Sequence, residues 1–157
     1  MTEERFEFRD GLRGEEATAI ADLLRSVVLT PDLPLAGSEV GERYFREKYD
    51  PERVHDWEED IVMTVWDGDD LAGFGRARKN GFITHVFVAE EYRKQGLGTR
   101  LLRILEESLA AEGLHFIFLD ADTRSVGFYE RHGWNRREPG NPVGDGTLLI
   151  SMEKRMD

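Results

Sequence analysis

Between Phe82 and Gly113 the hydrophobic period changes once, from two residues to about 3.6, and no other feature constrains the fold as much. Phe82 to Val88 alternates as a strand does, with Ile83, His85 and Phe87 on one face. Leu97, Leu101, Leu105 and Leu109 then recur at helical spacing, which predicts a helix over about Gly96 to Glu112, stopped by Gly113. Phe116 to Leu119 follows as a short buried strand. A strand, a helix and a second strand in this order imply a parallel crossover packed on a sheet.

The flanking segments supply the rest of that sheet. Residues 4–9 alternate as an opening strand, and Asp10-Gly11 turns the chain. Ala17, Ile20, Ala21, Leu24, Val27 and Val28 form the apolar stripe of a helix that Pro31 and Pro34 end. A weaker helix is expected from Ser38 to Tyr49. Ile61 to Trp66 and Leu71 to Lys79 read as strands joined at Asp67-Gly68-Asp69-Asp70, and Asn80-Gly81 signals a type I′ turn into the next strand. Another helix is predicted over Thr123 to Arg131, ended by Gly133. Strands are predicted near Trp134 to Arg137 and Thr147 to Met152, with the Pro/Gly-rich stretch from Pro139 to Gly146 between them. The expected class is α/β (α+β): a mixed sheet of about seven strands with about four helices, in the order β-α-α-β-β-β-α-β-α-β-β.

The 157 residues fit one domain, residues 1–157, able to bury about 70% of its unfolded surface. There are 21 basic and 32 acidic side chains, a net charge of −11. That balance argues against nucleic acid and against anionic membrane surfaces as partners. The chain has no cysteine, so disulfides, thiolate catalysis and cysteine-bound zinc are excluded. His55, His85, His115 and His132 are scattered without a close pair, and no metal site is expected. The N-terminus reads as neither signal peptide nor membrane span, so the cytoplasm is the expected compartment.

The loop from Ala89 to Gly98 carries the chemistry. A helix's first turn leaves backbone N–H groups without partners, and they carry partial positive charge. Gly96 and Gly98 remove side chains that would hold a ligand away, and Arg93, Lys94 and Arg100 add positive charge. This is an anion site suited to a phosphate or pyrophosphate. The dinucleotide fingerprint does not fit, because its first glycine is missing.

Arg93-Lys94-Gln95-Gly96-Leu97-Gly98 resembles the R/Q-x-x-G-x-G/A signature of the GCN5-related N-acetyltransferases, the GNAT superfamily, which bind acetyl-CoA. Val86-Phe87-Val88 matches the strand that leads into it. Asp122 to Trp134 is similar to the family's N-x-x-A-x-x-x-Y-x-x-x-G-F/W segment, with Asp122 in place of asparagine and Ser125 in place of alanine.

The resemblance implies roles. Backbone N–H groups of Gln95, Gly96, Leu97, Gly98, Thr99 and Arg100 would hold the pyrophosphate, beside Arg93 and Lys94. The pantetheine arm would pair with Val86, Phe87 and Val88, with Asp122, Ser125 and Phe128 on its other side. An ionised Asp122 lacks the amide donor of asparagine, but aspartate can still cap a helix. The Val88 N–H would polarise the thioester carbonyl. Tyr129 would protonate the departing thiolate, since a tyrosine with an ordinary pKa of about 10 keeps its proton at neutral pH.

An ammonium acceptor must first lose a proton. His85, three residues ahead of Val88, is the candidate base, and some family members place a catalytic histidine or glutamate in this strand. The alternative for His85 is packing beside the cofactor. His132, next to the helix stop, reads as a C-terminal charge partner. Between Asp50 and Asp70 stand nine acidic residues and one basic residue, Arg53. They form either a border of the acceptor cleft that attracts a cationic amine or a solvated acidic surface. The expected activity is acetyl transfer from acetyl-CoA to a primary amine of a small molecule or protein. The alternative is an acyl-CoA-binding sensor or subunit without catalysis. A homodimer is compatible with the resemblance.

Overall fold

The computed structural model describes residues 5–11, 16–28, 59–122, 124–137, 141–142 and 148–156. The helix expected over Ser38 to Tyr49 lies outside them.

Strands β1 (Glu7–Asp10), β2 (Ile61–Asp67), β3 (Asp70–Ala77) and β4 (Ile83–Val88) form one antiparallel sheet in that order. Strands β5 (Phe116–Asp122), β8 (Leu148–Arg155) and β6 (Asn135–Arg136) form a second, and β7 (Asn141–Pro142) also pairs with β8. β7 falls inside the stretch expected to be a plain connection. Among the described residues the sheets are joined by one parallel bridge, Phe82 to Phe118, where the Phe118 N–H donates to the Gly81 carbonyl over 2.9 Å. The expected parallel pairing therefore holds only at the start of β4, and beyond it β4 and β5 part.

Helix α1 (Glu16–Val28) buries Ala17, Ile20, Ala21 and Leu23 against the first sheet. Helix α2 (Leu97–Ala111) spans both cores: Leu97 and Leu101 belong to the first, Leu102, Leu105 and Leu109 to the second. Two glycines of β3 admit it. A Cβ on Gly73 would stand 2.5 Å from the Phe87 carbonyl oxygen and 3.5 Å from Leu101, and one on Gly75 would meet Leu105 at 2.9 Å. Helix α3 (Val126–Arg131) is a turn and a half long and packs Val126 into the second core.

Several elements differ from expectation for physical reasons. β1 starts at Glu7 and runs to Asp10, because its register is set by pairing from Glu7–Trp66 to Asp10–Met63. The turn after β3 is closed by the Gly81 N–H on the Arg78 carbonyl (3.0 Å) and the Arg78 N–H on the Phe82 carbonyl (2.8 Å). Gly81 alone in it has positive φ (106°), which makes a bulged hairpin and not a type I′ turn. α3 begins at Val126 and not at Thr123, since β5 stays paired to β8 as far as Asp122–Leu149. Ser125, not Asp122, occupies the N-cap position, and its side chain makes no capping bond.

Candidate active site

The hydrogen-bond phase of β4 defines the site. The Ala89 N–H donates to the Ala72 carbonyl over 2.8 Å, and the register runs on through Gly73–Val88, Phe74–Phe87, Gly75–Val86 and Arg76–His85. In an antiparallel pair, directly opposed residues alternate between bonded and non-bonded. His85, Phe87 and Ala89 thus spend their peptide groups on β3. Those of Val86 and Val88 face the other way, into the gap that opens between β4 and β5.

A 3₁₀ turn, Glu90–Tyr92, and a short loop lead from this edge to α2. The buried Tyr92 fixes the turn: its hydroxyl donates to Asp67 Oδ2 (3.0 Å), which also accepts from Arg5 (2.8 Å). The Arg5 hydrogen bond, followed by that of Tyr92 against an opposing effect of burial, lowers the Asp67 pKa. Burial first, then Asp67, raises that of Tyr92. Arg93 turns back, its Nε donating to the Val88 carbonyl over 3.2 Å. Lys94 has φ of 65°, unusual outside glycine, and Gly96 takes φ of 79° at the N-cap of α2.

The donors at the start of α2 can be assigned. The Arg100 N–H closes the first helical bond on the Gly96 carbonyl (3.1 Å), and its guanidinium lies 4.3 Å over the Phe8 ring. The N–H groups of Leu97, Gly98 and Thr99 precede that bond in the first turn, where helical acceptors are lacking. Gly96 and Gln95 are exposed beside them. A Cβ on Gly98 would meet Phe128 at 3.6 Å and Val88 at 3.8 Å, ordinary contact distances. The protein itself therefore does not require glycine there.

α3 brings Phe128 and Tyr129 to the same region. The Phe128 ring faces Gly98, and Tyr129 packs with Phe128 and Val86 against the second core. Asp122 ends β5 across the gap. Thr99 Oγ1 lies 3.2 Å from His132 Nε2, so the ring at the C-cap of α3 reaches the first turn of α2.

His85 is 8% exposed and sits between the rings of Phe74 (5.5 Å) and Phe87 (5.4 Å). The Thr84 hydroxyl donates to the Arg76 carbonyl (3.2 Å) and stands 2.9 Å from His85 Nδ1. Thr84 Oγ1 is thus the neighbour that can orient the His85 ring through Nδ1.

Of the acidic stretch, Asp50 to Glu58 lies outside the described residues. Asp60 binds Arg76 (2.7 Å), and Asp67 serves Arg5 and Tyr92. Sequence reasoning missed Asp67, Tyr92 and Thr84. Tyr92 and Asp67 meet across 25 positions, and no pattern in the sequence pairs them.

Residues 36–156 match the family model described as an acetyltransferase (GNAT) domain. An uncharacterised N-acetyltransferase of Bacillus subtilis, YjcF, is 33% identical over 95 residues, covering 59% of this chain and 68% of that one. Among solved structures, a GCN5-related N-acetyltransferase from Rhodopseudomonas palustris superposes with a TM-score of 0.79 at 19% identity, covering 99% of this chain and 98% of that one. The PaiA N-acetyltransferase of Thermoplasma acidophilum, in complex with coenzyme A, gives 0.75 at 18% identity, covering 96% of this chain and 98% of that one.

Proposed function

This chain belongs to the GNAT acetyltransferase family, and we propose that it is an N-acetyltransferase that takes the acetyl group of acetyl-CoA and passes it directly to a primary amine of a small molecule or protein. The observation that carries this reading is the edge of β4, whose Val86 and Val88 peptide groups face a gap beside the N-terminus of α2. The residues fit the donor. An extended chain bearing amides can add to that edge as a strand would. A pyrophosphate suits the N–H groups of Leu97, Gly98 and Thr99, with Gly96 held open by its positive φ and Gly98 bare of a side chain the protein could accommodate.

Acetyl-CoA supplies the acetyl group as a thioester. The Val88 N–H donates to the carbonyl oxygen as negative charge builds on it. Tyr129 holds the proton that the leaving thiolate takes. His85 receives the proton of the acceptor amine directly or through water. Tyr129→Phe tests the assignment, since it removes a hydroxyl and little volume. Turnover should fall by about 10²-fold, with acetyl-CoA affinity nearly unchanged. Equal turnover would return Tyr129 to packing.

A further inference from the structure

α3 is six residues long, too short to hold its own shape, yet it carries Tyr129. The Tyr129 carbonyl accepts from the N–H groups of His132 (2.9 Å) and Trp134 (3.1 Å), and the Tyr129 and Trp134 rings meet edge to face at 6.0 Å. Both of those residues are gripped from outside the helix. Lys154 Nζ, on β8, donates to the His132 carbonyl over 2.9 Å and to Glu106 Oε1, on α2, over 2.7 Å. Glu106 Oε2 accepts from Trp134 Nε1 over 3.1 Å. Glu106 is 12% exposed and Lys154 26%, so the pair is shielded well beyond a surface ion pair. Gly133 passes close under the lysine, where a Cβ would lie 3.5 Å from its Cε. His132 also reaches Thr99, on the first turn of α2.

We propose that Lys154 and Glu106 are positioning residues for Tyr129: they clamp the end of α3 to α2 and so fix the phenol relative to the helix whose N-terminus faces the cofactor. The inference rests on the proposed role of Tyr129 as acid. A purely structural ion pair would affect folding and every step alike. A clamp acting through Tyr129 affects the step that Tyr129 serves, where small displacements are costly.

The test is a kinetic double-mutant cycle on the full chain, using Lys154→Met, Tyr129→Phe and the double variant, each assayed well below its Tm. Lys154→Met should lower kcat about tenfold, with KM for acetyl-CoA changed by less than about twofold. In the Tyr129→Phe background the same substitution should change kcat by less than about twofold, and Lys154→Arg should restore most of the single-variant loss. Losses that multiply across the cycle, or no loss in Lys154→Met, overturn the clamp and leave the acid role standing. Wild-type turnover in Tyr129→Phe overturns the acid role and the clamp with it. If Lys154→Met does not fold, Glu106→Gln replaces it, since its amide turns a donor toward either Lys154 or Trp134; the same outcomes apply.

Discussion

Arg93 Nε donates to the Val88 carbonyl over 3.2 Å, closing the loop onto the strand edge it leaves. The Val88 carbonyl points into the gap, so the guanidinium fixes the end of β4 as much as it adds charge near the start of α2. The bond is exposed and worth on the order of 1 kcal/mol. Arg93→Ala should weaken acetyl-CoA binding about fivefold by calorimetric titration. Arg93→Lys, which keeps the charge and loses the planar fork, should weaken it nearly as much. Full affinity in Arg93→Lys with a large loss in Arg93→Ala would make the residue a simple cation.

Gly98 separates the needs of the fold from those of the ligand. Its Cβ would meet only ordinary contacts, and alanine favours a helix over glycine by about 1 kcal/mol. Gly98→Ala should leave Tm unchanged or raised while weakening acetyl-CoA binding about tenfold or more, as a methyl group enters the space beside the pyrophosphate. A lowered Tm with unchanged affinity would place the need for glycine in the fold.

Thr84 should set the tautomer of His85. Thr84→Val keeps the β-branched shape suited to a strand and removes the oxygen that stands 2.9 Å from His85 Nδ1. The nitrogen-15 resonances of His85 should then shift as the tautomer balance changes, and turnover should fall with acetyl-CoA affinity kept. An unchanged tautomer would mean that the ring is held by its other surroundings.

Asp67 links stability to acid. Its pKa is lowered in the fold, first by the Arg5 hydrogen bond, while an unfolded aspartate titrates near about 3.9. Its contribution is present in full above that value and is lost as pH falls through the lower folded pKa. Asp67→Asn should lower Tm at neutral pH, and the difference from wild type should shrink below about pH 4. A difference independent of pH would assign the effect to packing of the β2–β3 turn.

Much of this arrangement was legible in sequence because it is local. The stripe Leu97, Leu101, Leu105, Leu109 is buried throughout α2, and Gly113 stops the chain with φ of 86°. The longer elements after Asp60 and the glycine loop at the start of α2 follow from period and turn chemistry, whereas the 3₁₀ turn Glu90–Tyr92 and the two-residue β7 carry no such signal. What escaped depends on partners far along the chain. β5 outruns its expected end because β8 pairs with it, and Asn80 keeps negative φ because the bulge falls on Gly81. The Tyr92–Asp67 and Lys154–Glu106 bonds join residues that share no pattern, 25 and 48 positions apart. The direction of the Val86 and Val88 peptide groups required the register of β3, which sequence leaves open.

The central claim is that acetyl-CoA lies along β4 and gives up its acetyl group to an amine. The most direct measurement is release of free thiol from acetyl-CoA by the wild-type protein, with and without a panel of primary amines that includes polyamines, amino sugars and peptide N-termini. The account predicts that at least one amine raises thiol release well above the amine-free rate, with one acetylated amine formed per thiol, and that Tyr129→Phe suppresses that increment. Saturable acetyl-CoA binding with no amine-dependent release across the panel would contradict it, and would leave an acyl-CoA-binding module in place of an enzyme.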